Sequence, residues 1–326
     1  MIGIFKQKNP GNLLVLLVYA LALKFYMFLD PVIPEIRVED GFLYKIIVRK
    51  LLDWSGSSAM IFPILTFILL FTQAAHLNRV MNNQRLMPRS NFLPGMSYIL
   101  ITSFFTEWSV FSAPLLVNSL LLLVWSMMTG LYNSNHPKSL VFNIGLLVGL
   151  SSFIFFPALA FILLVFFAML VTRPFHFTEW LIAIFGIVTP YYFLFIGLFL
   201  FDGWDPAIYL PNISFSMVEF LPSLWLIASV SLLVIPFLIG GYYVQDNLSK
   251  MLIQIRKSWS LLLFYVLVST VVPFINTSES FSNWILCAVP FAAFHACAYF
   301  YPRRGLVPLI LHWLGVALVV TLNYFI

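Results

Sequence analysis

Ionisable side chains are concentrated in one segment, residues 30–56, of a chain in which only 9% of the residues are charged. This segment combines acids and basic residues in an otherwise apolar sequence. They are Asp30, Glu35, Glu39, Asp40 and Asp53, with Arg37, Lys45, Arg49 and Lys50. Basic side chains can hold a phosphate or pyrophosphate through charge-assisted hydrogen bonds, and a carboxylate can accept a proton from an attacking hydroxyl. The segment therefore predicts a site for a phosphorylated substrate.

The acids of this segment have a functional and a structural interpretation. In the functional one, Asp40 is the leading general base or metal-contacting carboxylate, with Glu39 and Asp30 behind it. In the structural one, Glu39 and Asp40 are ordinary acids at the N-terminus of a helix, where the helix dipole favours negative charge. Residue types alone leave both interpretations open.

An amphipathic helix is predicted over the second half of the segment, from Phe42 to Trp54. One stripe is apolar and the opposite one is charged. The apolar stripe consists of Leu43, Ile46, Ile47, Leu51 and Trp54, and the charged one of Lys45, Arg49 and Asp53. A helix of this kind lies flat at a membrane surface. We expect it to present Lys45 and Arg49, together with Arg37, to a lipid-linked phosphate.

Lys24 lies inside the first apolar run, a few residues before Asp30. A charge within a membrane span is a candidate for function, and here it would contact a phosphate or a carboxylate. A lysine so close to the end of a span can also extend its ammonium to the membrane surface. Both alternatives are kept.

Two further loops carry acids beside tryptophan, at Glu107-Trp108 and at Asp202-Gly203-Trp204-Asp205. An indole ring and a carboxylate together suit a sugar, so Glu107 and Asp202 are candidate substrate-binding residues. The alternative is a belt of interfacial tryptophans with solvated acids. Asp202 and Asp205 could also hold a divalent cation through carboxylate oxygens.

Composition indicates which elements position these residues. Of the 326 residues 62% are hydrophobic and only 9% are charged, whereas soluble domains typically have about 25% charged residues. A backbone in hydrocarbon must satisfy its own hydrogen bonds, which leaves helices or a closed barrel. Barrel strands alternate apolar and polar residues, and the apolar runs here do not. We therefore predict an all-α, polytopic transmembrane bundle forming a single integral membrane domain over residues 1–326.

About eleven spans are predicted. They are 12–29, 58–77, 94–107, 114–132, 140–154, 157–172, 179–201, 221–243, 259–275, 283–300 and 306–325. Three of them are short for a bilayer about 30 Å thick, which needs about 20 residues. Pro157 separates two of the short ones, because proline interrupts helix hydrogen bonding.

The basic residues predict the orientation. Twelve of the 17 fall in loops on one side, which the positive-inside rule makes cytoplasmic. These are Lys6, Lys8, Arg79, Arg85, Arg89, Lys138, Arg173, Lys250, Arg256, Lys257, Arg303 and Arg304. The N-terminus is then cytoplasmic and the C-terminus outside. The same distribution argues against a nucleic-acid partner, since the net charge of +5 lies in short loops rather than on one binding face.

The first outer loop resembles that of the GT-C superfamily of membrane glycosyltransferases, which use polyprenyl-phosphate-linked sugars. The resemblance rests on Glu39-Asp40-Gly41-Phe42-Leu43-Tyr44 and the helix to Trp54, although the family's more usual order is Asp then Glu. A glycine-spaced run, Gly145 to Leu150, before a short pair of spans is also similar to GT-C members. The resemblance implies sugar transfer from a polyprenyl phosphate at the outer face, with Asp40 as the acting carboxylate.

The overall pattern is also similar to an uncharacterised family of integral membrane proteins from Bacteroidota, which implies a bacterial inner membrane. Two alternatives to a transferase remain: a non-catalytic membrane subunit on a GT-C-like scaffold, and a transporter or lipid flippase. Convergence of Asp40, Glu107 and Asp202 would favour the transferase. Separation by more than about 15 Å would favour the subunit, because catalytic groups must reach one substrate.

Overall fold

Helices form the fold in the computed structural model, which describes residues 2–56, 58–201, 209, 215, 223–275, 281–302 and 305–325. The all-α prediction is confirmed over these ranges, where the remaining pairing consists of two isolated β-bridges. The helices are α1 Ile2–Phe5, α2 Asn12–Lys24, α3 Tyr26–Leu29, α4 Phe42–Trp54, α5 Ile61–Asn83, α6 Leu93–Ile101, α7 Ala113–Gly130, α8 Pro137–Ile154, α9 Ile162–Thr172, α10 Phe177–Leu200, α11 Leu224–Asn247, α12 Ile253–Val271, α13 Ala288–Phe300 and α14 Leu306–Tyr324. Short 3-10 helices precede, follow or connect several of them.

Eight helical segments within the described ranges are long and apolar enough to cross a membrane. They are Ile61–Asn83, Ala113–Asn133, Pro137–Ile154, Phe177–Leu200, Leu224–Lys250, Ile253–Phe274, Phe281–Phe300 and Leu306–Tyr324. The chain is therefore an integral membrane protein. Each of the eight coincides with a span predicted from hydropathy.

The other three predicted spans coincide with shorter helices. Predicted span 12–29 contains α2, of 13 residues, and predicted span 94–107 overlaps α6, of nine residues. Predicted span 157–172 matches the apolar helical segment Phe156–Thr172, which begins at the break around Pro157. All nine residues of α6 are buried. The count of eleven crossings depends on these three segments and stays a prediction.

Connections between helices gather at two ends of the bundle. At one end, the backbone N–H of Phe92 donates to the carbonyl of Phe5 at 2.7 Å. At the same end, the side chain of Gln254 is hydrogen-bonded to those of Asn133 and Gln84, at 2.9 and 3.2 Å. We call this the basic end, because its loops carry Lys6, Lys8, Arg79, Arg85, Arg89, Lys138, Arg173, Lys250, Arg256 and Lys257.

The other end, which we call the site end, is formed by residues 30–42, 102–113, 153–157 and 281–283. Trp108 Nε1 donates to the carbonyl of Phe281 at 2.8 Å, and Asp40 forms an antiparallel bridge with Phe155. Segments far apart in sequence therefore meet around the acids of the first loop.

Glycines bring α8 close to α10, and α8 leads into the site end. A Cβ added to Gly145 would lie 2.5 Å from the carbonyl oxygen of Ala183, and one added to Gly186 would lie 2.4 Å from that of Phe142. Gly149 is equally tight against Ile187. Small residues permit such backbone contact between membrane helices. The glycine spacing at 145–149 thus has a packing role.

Helix α4 spans Phe42–Trp54 as predicted, and the side that packs against the protein carries Tyr44 and Val48, which lie outside the predicted apolar stripe. Tyr44 and Val48 are each 1% exposed, whereas Trp54 is 82% and Ile46 43% exposed. The remaining members of the stripe, Leu43, Ile47 and Leu51, are half-buried. The reason is tertiary: Tyr44 hydrogen-bonds and stacks on Phe111, which turns that side inward.

Candidate functional site

The Glu39-Asp40-Gly41 segment is fastened to the chain between α8 and the 3-10 helix Phe156–Phe161. The Gly41 N–H donates to the carbonyl of Ile154 at 2.8 Å, and the Phe156 N–H donates to that of Glu39 at 3.3 Å. Between these two bonds Asp40 pairs with Phe155. These backbone contacts therefore fix the position of the Asp40 backbone, from which the side chain extends.

Gly41 is required for this contact. A Cβ at position 41 would lie 2.0 Å from the carbonyl oxygen of Phe153, well inside van der Waals distance. Its φ of −69° is available to any residue, so the requirement is for space. Glycine suits positions where the backbone must approach another chain segment this closely.

Asp40 is a buried carboxylate, 7% exposed, at the end of a tight turn. Its Oδ2 accepts the N–H of Arg37 at 2.8 Å, and its own N–H donates to the Arg37 carbonyl at 3.3 Å. Burial raises the pKa of Asp40 to about 6, and the Glu39 charge adds to the rise. The hydrogen bond from Arg37 and the charges of Arg37 and Lys45 oppose it. A carboxyl tuned toward neutral pH suits proton transfer.

Residues 281–283 connect the other charged side chains of the site. The Arg37 guanidinium donates to the hydroxyl of Ser282, whose N–H donates to Glu107 Oε2 at 3.0 Å. Asn283 Nδ2 donates to Oε1 of Glu39 at 3.4 Å, and Glu39 is 2% exposed. These bonds hold the first loop and the 102–113 connection against the start of the 3-10 helix Phe281–Cys287. We call this set of bonds the clasp.

A cavity of about 160 Å³ lies beside Asp40, and we call it the Asp40 cavity. Its polar lining consists of Glu35, Arg37, Asp40, Tyr44, Glu107, Ser112 and Ser282. Asp40 and Glu107 therefore share one cavity, as the transferase hypothesis requires. Asp202, the third acid of that test, lies outside the described residues.

A second cavity, of about 470 Å³, lies next to the first, and we call it the Lys24 cavity. Its polar lining consists of Lys24, Tyr26, Asp30, Thr106, Glu107, Ser109 and Asn323. Glu107, Val32, Val110 and Phe111 line both cavities. Glu107 thus stands between a space containing Asp40 and Arg37 and a space containing Lys24 and Asp30.

Lys24 is only 2% exposed, so the prediction that its ammonium reaches the membrane surface is wrong. Its Nζ donates to the carbonyl of Thr102 at 2.5 Å and to Ser109 Oγ at 2.8 Å. Thr102 is the C-terminal cap residue of α6, where the helix dipole favours a cation. A contact of Lys24 with a substrate phosphate or carboxylate stays a prediction.

The remaining basic candidates differ in position. Lys45, on α4, is half-buried and close enough to lower the pKa of Asp40. Arg49 is exposed, and it is absent from the linings of both cavities as far as the described residues define them. Asp30 is exposed and lines the Lys24 cavity rather than the Asp40 cavity.

The burial of Trp108 contradicts both interpretations of the Glu107-Trp108 pair, the sugar-binding one and the interfacial one. Trp108 is 1% exposed and packs on Phe105 with ring centroids 4.7 Å apart, so it is neither a sugar platform nor an interfacial belt residue. Its neighbour Glu107 is half-buried and joins the clasp. The bond from Trp108 Nε1 to the Phe281 carbonyl joins positions 173 residues apart, which sequence spacing could not bring together.

Sequence reasoning missed Ser282 and Asn283, and it named Glu35 and Tyr44 without giving either a role of its own in the site. The available signal was the polar pair Ser282-Asn283 at the start of a predicted span, which marks its end but gives no partner. Within the described ranges, no three His, Cys, Asp or Glu side chains are grouped to hold a metal ion. The candidate metal residues Asp202 and Asp205 lie outside those ranges and stay predictions.

Comparison with known proteins gives one match. The model of a family of unknown function, DUF6427, matches residues 41–324. No curated protein and no solved structure matches the chain. The matched range begins at Gly41, so it contains Glu107, Ser282 and Asn283, while Lys24, Arg37 and Asp40 precede it.

Proposed function

This chain belongs to the DUF6427 family, and we propose that it is a GT-C-like glycosyltransferase that takes its sugar from a polyprenyl phosphate at the outer face of a bacterial inner membrane. One observation carries the proposal. A buried carboxylate, Asp40, with its pKa raised to about 6, lines a cavity together with the Arg37 guanidinium. A base and an anion-binding cation beside one cavity are what transfer from a phosphate-linked donor needs.

In the proposed reaction, an acceptor hydroxyl attacks the anomeric carbon of the donor sugar. Asp40 takes the hydroxyl proton as the new carbon–oxygen bond forms. The bond between the anomeric carbon and the phosphate oxygen breaks, and the polyprenyl phosphate leaves with the electron pair. Arg37 and Lys45 stabilise the negative charge on that leaving group. Asp40 then releases its proton to water.

The proposal includes eleven crossings, a cytoplasmic N-terminus and an outer C-terminus. Support comes from the connections, which alternate between the basic end and the site end along the described chain. The Arg173 guanidinium donates to the carbonyl of Leu131 at 3.4 Å, so the chain after α9 is back at the basic end. Asn323 donates to the Leu23 carbonyl at 3.4 Å, near the opposite end. The positive-inside rule then assigns the site end to the outside.

The test measures transfer from polyprenyl-phosphate hexoses in membranes containing the full-length protein. Asp40→Asn should lower the transfer rate about 10²–10⁴-fold, the usual contribution of a general base. Asp53→Asn, an exposed acid on α4, is the matched control and should transfer normally. The assignment is wrong if the double variant Asp40→Asn, Glu39→Gln transfers sugar at the wild-type rate.

A second candidate is a non-catalytic membrane subunit on the same scaffold, and the clasp favours it. Arg37, Glu39 and Glu107 each bond to residues 281–283, as they would if their role were to join loops. If the protein is a non-catalytic subunit, we expect the wild-type protein to transfer no sugar from any donor. We also expect Asp40→Asn to change thermal stability alone. The two outcomes of one set of assays therefore separate the candidates.

A further inference from the structure

Lys24 is a buried cation with no counter-ion among the residues that the structure describes. Among the described residues the ion pair is Arg173 with Glu179, at the basic end, and the Lys24 ammonium bonds only to a carbonyl and a hydroxyl. An ammonium has three N–H donors, and two of them are used. A buried charge is costly unless it is paired. The Lys24 cavity, which the side chain lines, is where an anionic oxygen can pair with it.

The same cavity also contains negative charge. Asp30 and Glu107 both line it, so the polar lining holds one cation and two carboxylates. A simple anion, attracted by Lys24, would be opposed by both acids. A ligand that carries a negative and a positive group matches this lining better. Glu107 already accepts the Ser282 N–H, and the two oxygens of a carboxylate can accept several donors at once.

The remaining walls of the cavity are apolar. They include Leu23, Met27, Phe62, Phe111 and Leu322. Nearby on the surface, Phe25 is 51% and Leu29 60% exposed, at the end of the helical segment that contains α2 and α3. In a membrane protein such side chains face hydrocarbon. A ligand from the bilayer would contact them with its chains, whereas a soluble zwitterion would leave them uncovered.

We propose that the Lys24 cavity binds the head group of a zwitterionic membrane phospholipid, with its phosphate at Lys24 and its primary ammonium at Asp30 and Glu107. The inference goes beyond sugar transfer, because it describes a lipid held beside the proposed reaction site. Glu107 would couple the two, since it lines both cavities. The site takes a phosphoethanolamine head group in preference to phosphoglycerol, which lacks the ammonium, and to phosphocholine, whose ammonium has no N–H to donate.

The test uses full-length protein, delipidated in detergent and supplied with equal amounts of phosphatidylethanolamine, phosphatidylglycerol and phosphatidylcholine of the same acyl chains. Native mass spectrometry measures the lipid retained. Wild-type protein should retain phosphatidylethanolamine about tenfold over each of the others. Lys24→Met should lower that retention by about tenfold. Lys50→Gln, an exposed cation on α4, is the control and should retain the lipid as wild type does.

Lys24 also caps α6, so Lys24→Met can unfold the protein, and a second variant keeps the test decisive. Asp30→Asn changes an exposed side chain and should reduce the preference for phosphatidylethanolamine over phosphatidylglycerol to about twofold. Equal retention of the three lipids by wild type overturns the proposal, as does an unchanged preference in folded Asp30→Asn.

Two further arms separate the source of the ligand and the link to catalysis. Free phosphoethanolamine at millimolar concentration should leave the lipid bound. Complete displacement by it would assign the cavity to a soluble ligand and overturn the lipid proposal. Asp40→Asn should retain the lipid as wild type does, so failure of the transferase proposal would be visible in the transfer assay while lipid retention persists.

Discussion

The two ends of the bundle use similar residue types in different ways. At the basic end, Arg79, Arg85 and Arg89 are exposed, and the one ion pair of the described residues joins Arg173 to Glu179 at 3.0 Å. At the site end, Lys24, Glu39 and Asp40 are 2%, 2% and 7% exposed. Exposed charges orient a membrane protein at little cost. Buried charges beside cavities are costly, which is why they indicate a site rather than a topology signal.

The strongest test of this contrast replaces one glycine at each end. Gly41→Ala places a methyl group 2.0 Å from the Phe153 carbonyl oxygen, so the 39–41 segment must move. We expect a loss of about 3 kcal/mol or more in the free energy of unfolding, typical of severe overpacking, and loss of transfer. Gly130→Ala, at the basic end of α7, meets nothing within 4 Å. Thermal unfolding of both variants should show destabilisation of the first alone.

The pH dependence of the transfer rate tests whether a buried charge at the site end, Asp40, has a chemical role. A general base works when it is ionised, so the rate should fall about tenfold per pH unit below the Asp40 pKa of about 6 and be level above it. Because burial raises this pKa above its unfolded value, the folded state binds the proton more tightly. Stability contributed by protonated Asp40 is therefore present below pH 4 and is lost as pH rises through about 6. A transfer rate that is level from pH 4 to 8 would refute the role of Asp40.

Charges around Asp40 should move that midpoint in opposite directions. Glu39→Gln removes a negative neighbour and should lower the pKa of Asp40, whereas Arg37→Gln removes a positive one and should raise it. We expect each shift to be less than about one unit, because both are secondary to burial. The pH–rate profiles of the two variants are the measurement. Shifts of the same sign would mean that the variants act through the clasp instead of through charge.

The smallest effect is expected when an arginine at the basic end, rather than Arg37, is replaced by glutamine. Arg89 is exposed, and Arg89→Gln should change the free energy of unfolding by no more than about 0.5 kcal/mol. Its transfer rate and pH midpoint should equal those of the wild type. Arg37→Gln and Arg89→Gln thus form a matched pair. A comparable loss of transfer in both would remove the distinction between the two ends.

Sequence predicted the parts of this molecule that depend on local patterns. Hydropathy identified the eight long helices, the segment to Trp54 was predicted as a helix, and Pro157 as a break. The contacts that build the site depend on packing between distant segments. Glu39 and Asn283 are 244 positions apart, and no periodicity relates them. The inward side of α4, with Tyr44 and Val48, could not be predicted for the same reason, since both sides of a helix at a membrane surface can be apolar.

The features of the candidate site also divide into those that the sequence predicted and those that it did not. The loop chemistry was visible in the types of Arg37, Glu39 and Asp40, because charges are rare in this chain. The burial of Lys24 was not visible, since a lysine near the end of a span is as well suited to reaching the surface. The need for glycine at position 41 was hidden too, because it is set by a carbonyl more than a hundred residues away.

Helix α6 has a consequence for how this chain is made. Its nine residues extend about 14 Å, roughly half of the hydrocarbon thickness, and it packs against α5 and α13. A helix this short covers only part of the hydrocarbon layer, so its burial depends on protein neighbours. One of them, α13, begins at Ala288 and is synthesised much later. The contacts of α6 with α13, like those of the site end with residues 281–283, therefore form only after most of the chain has been synthesised.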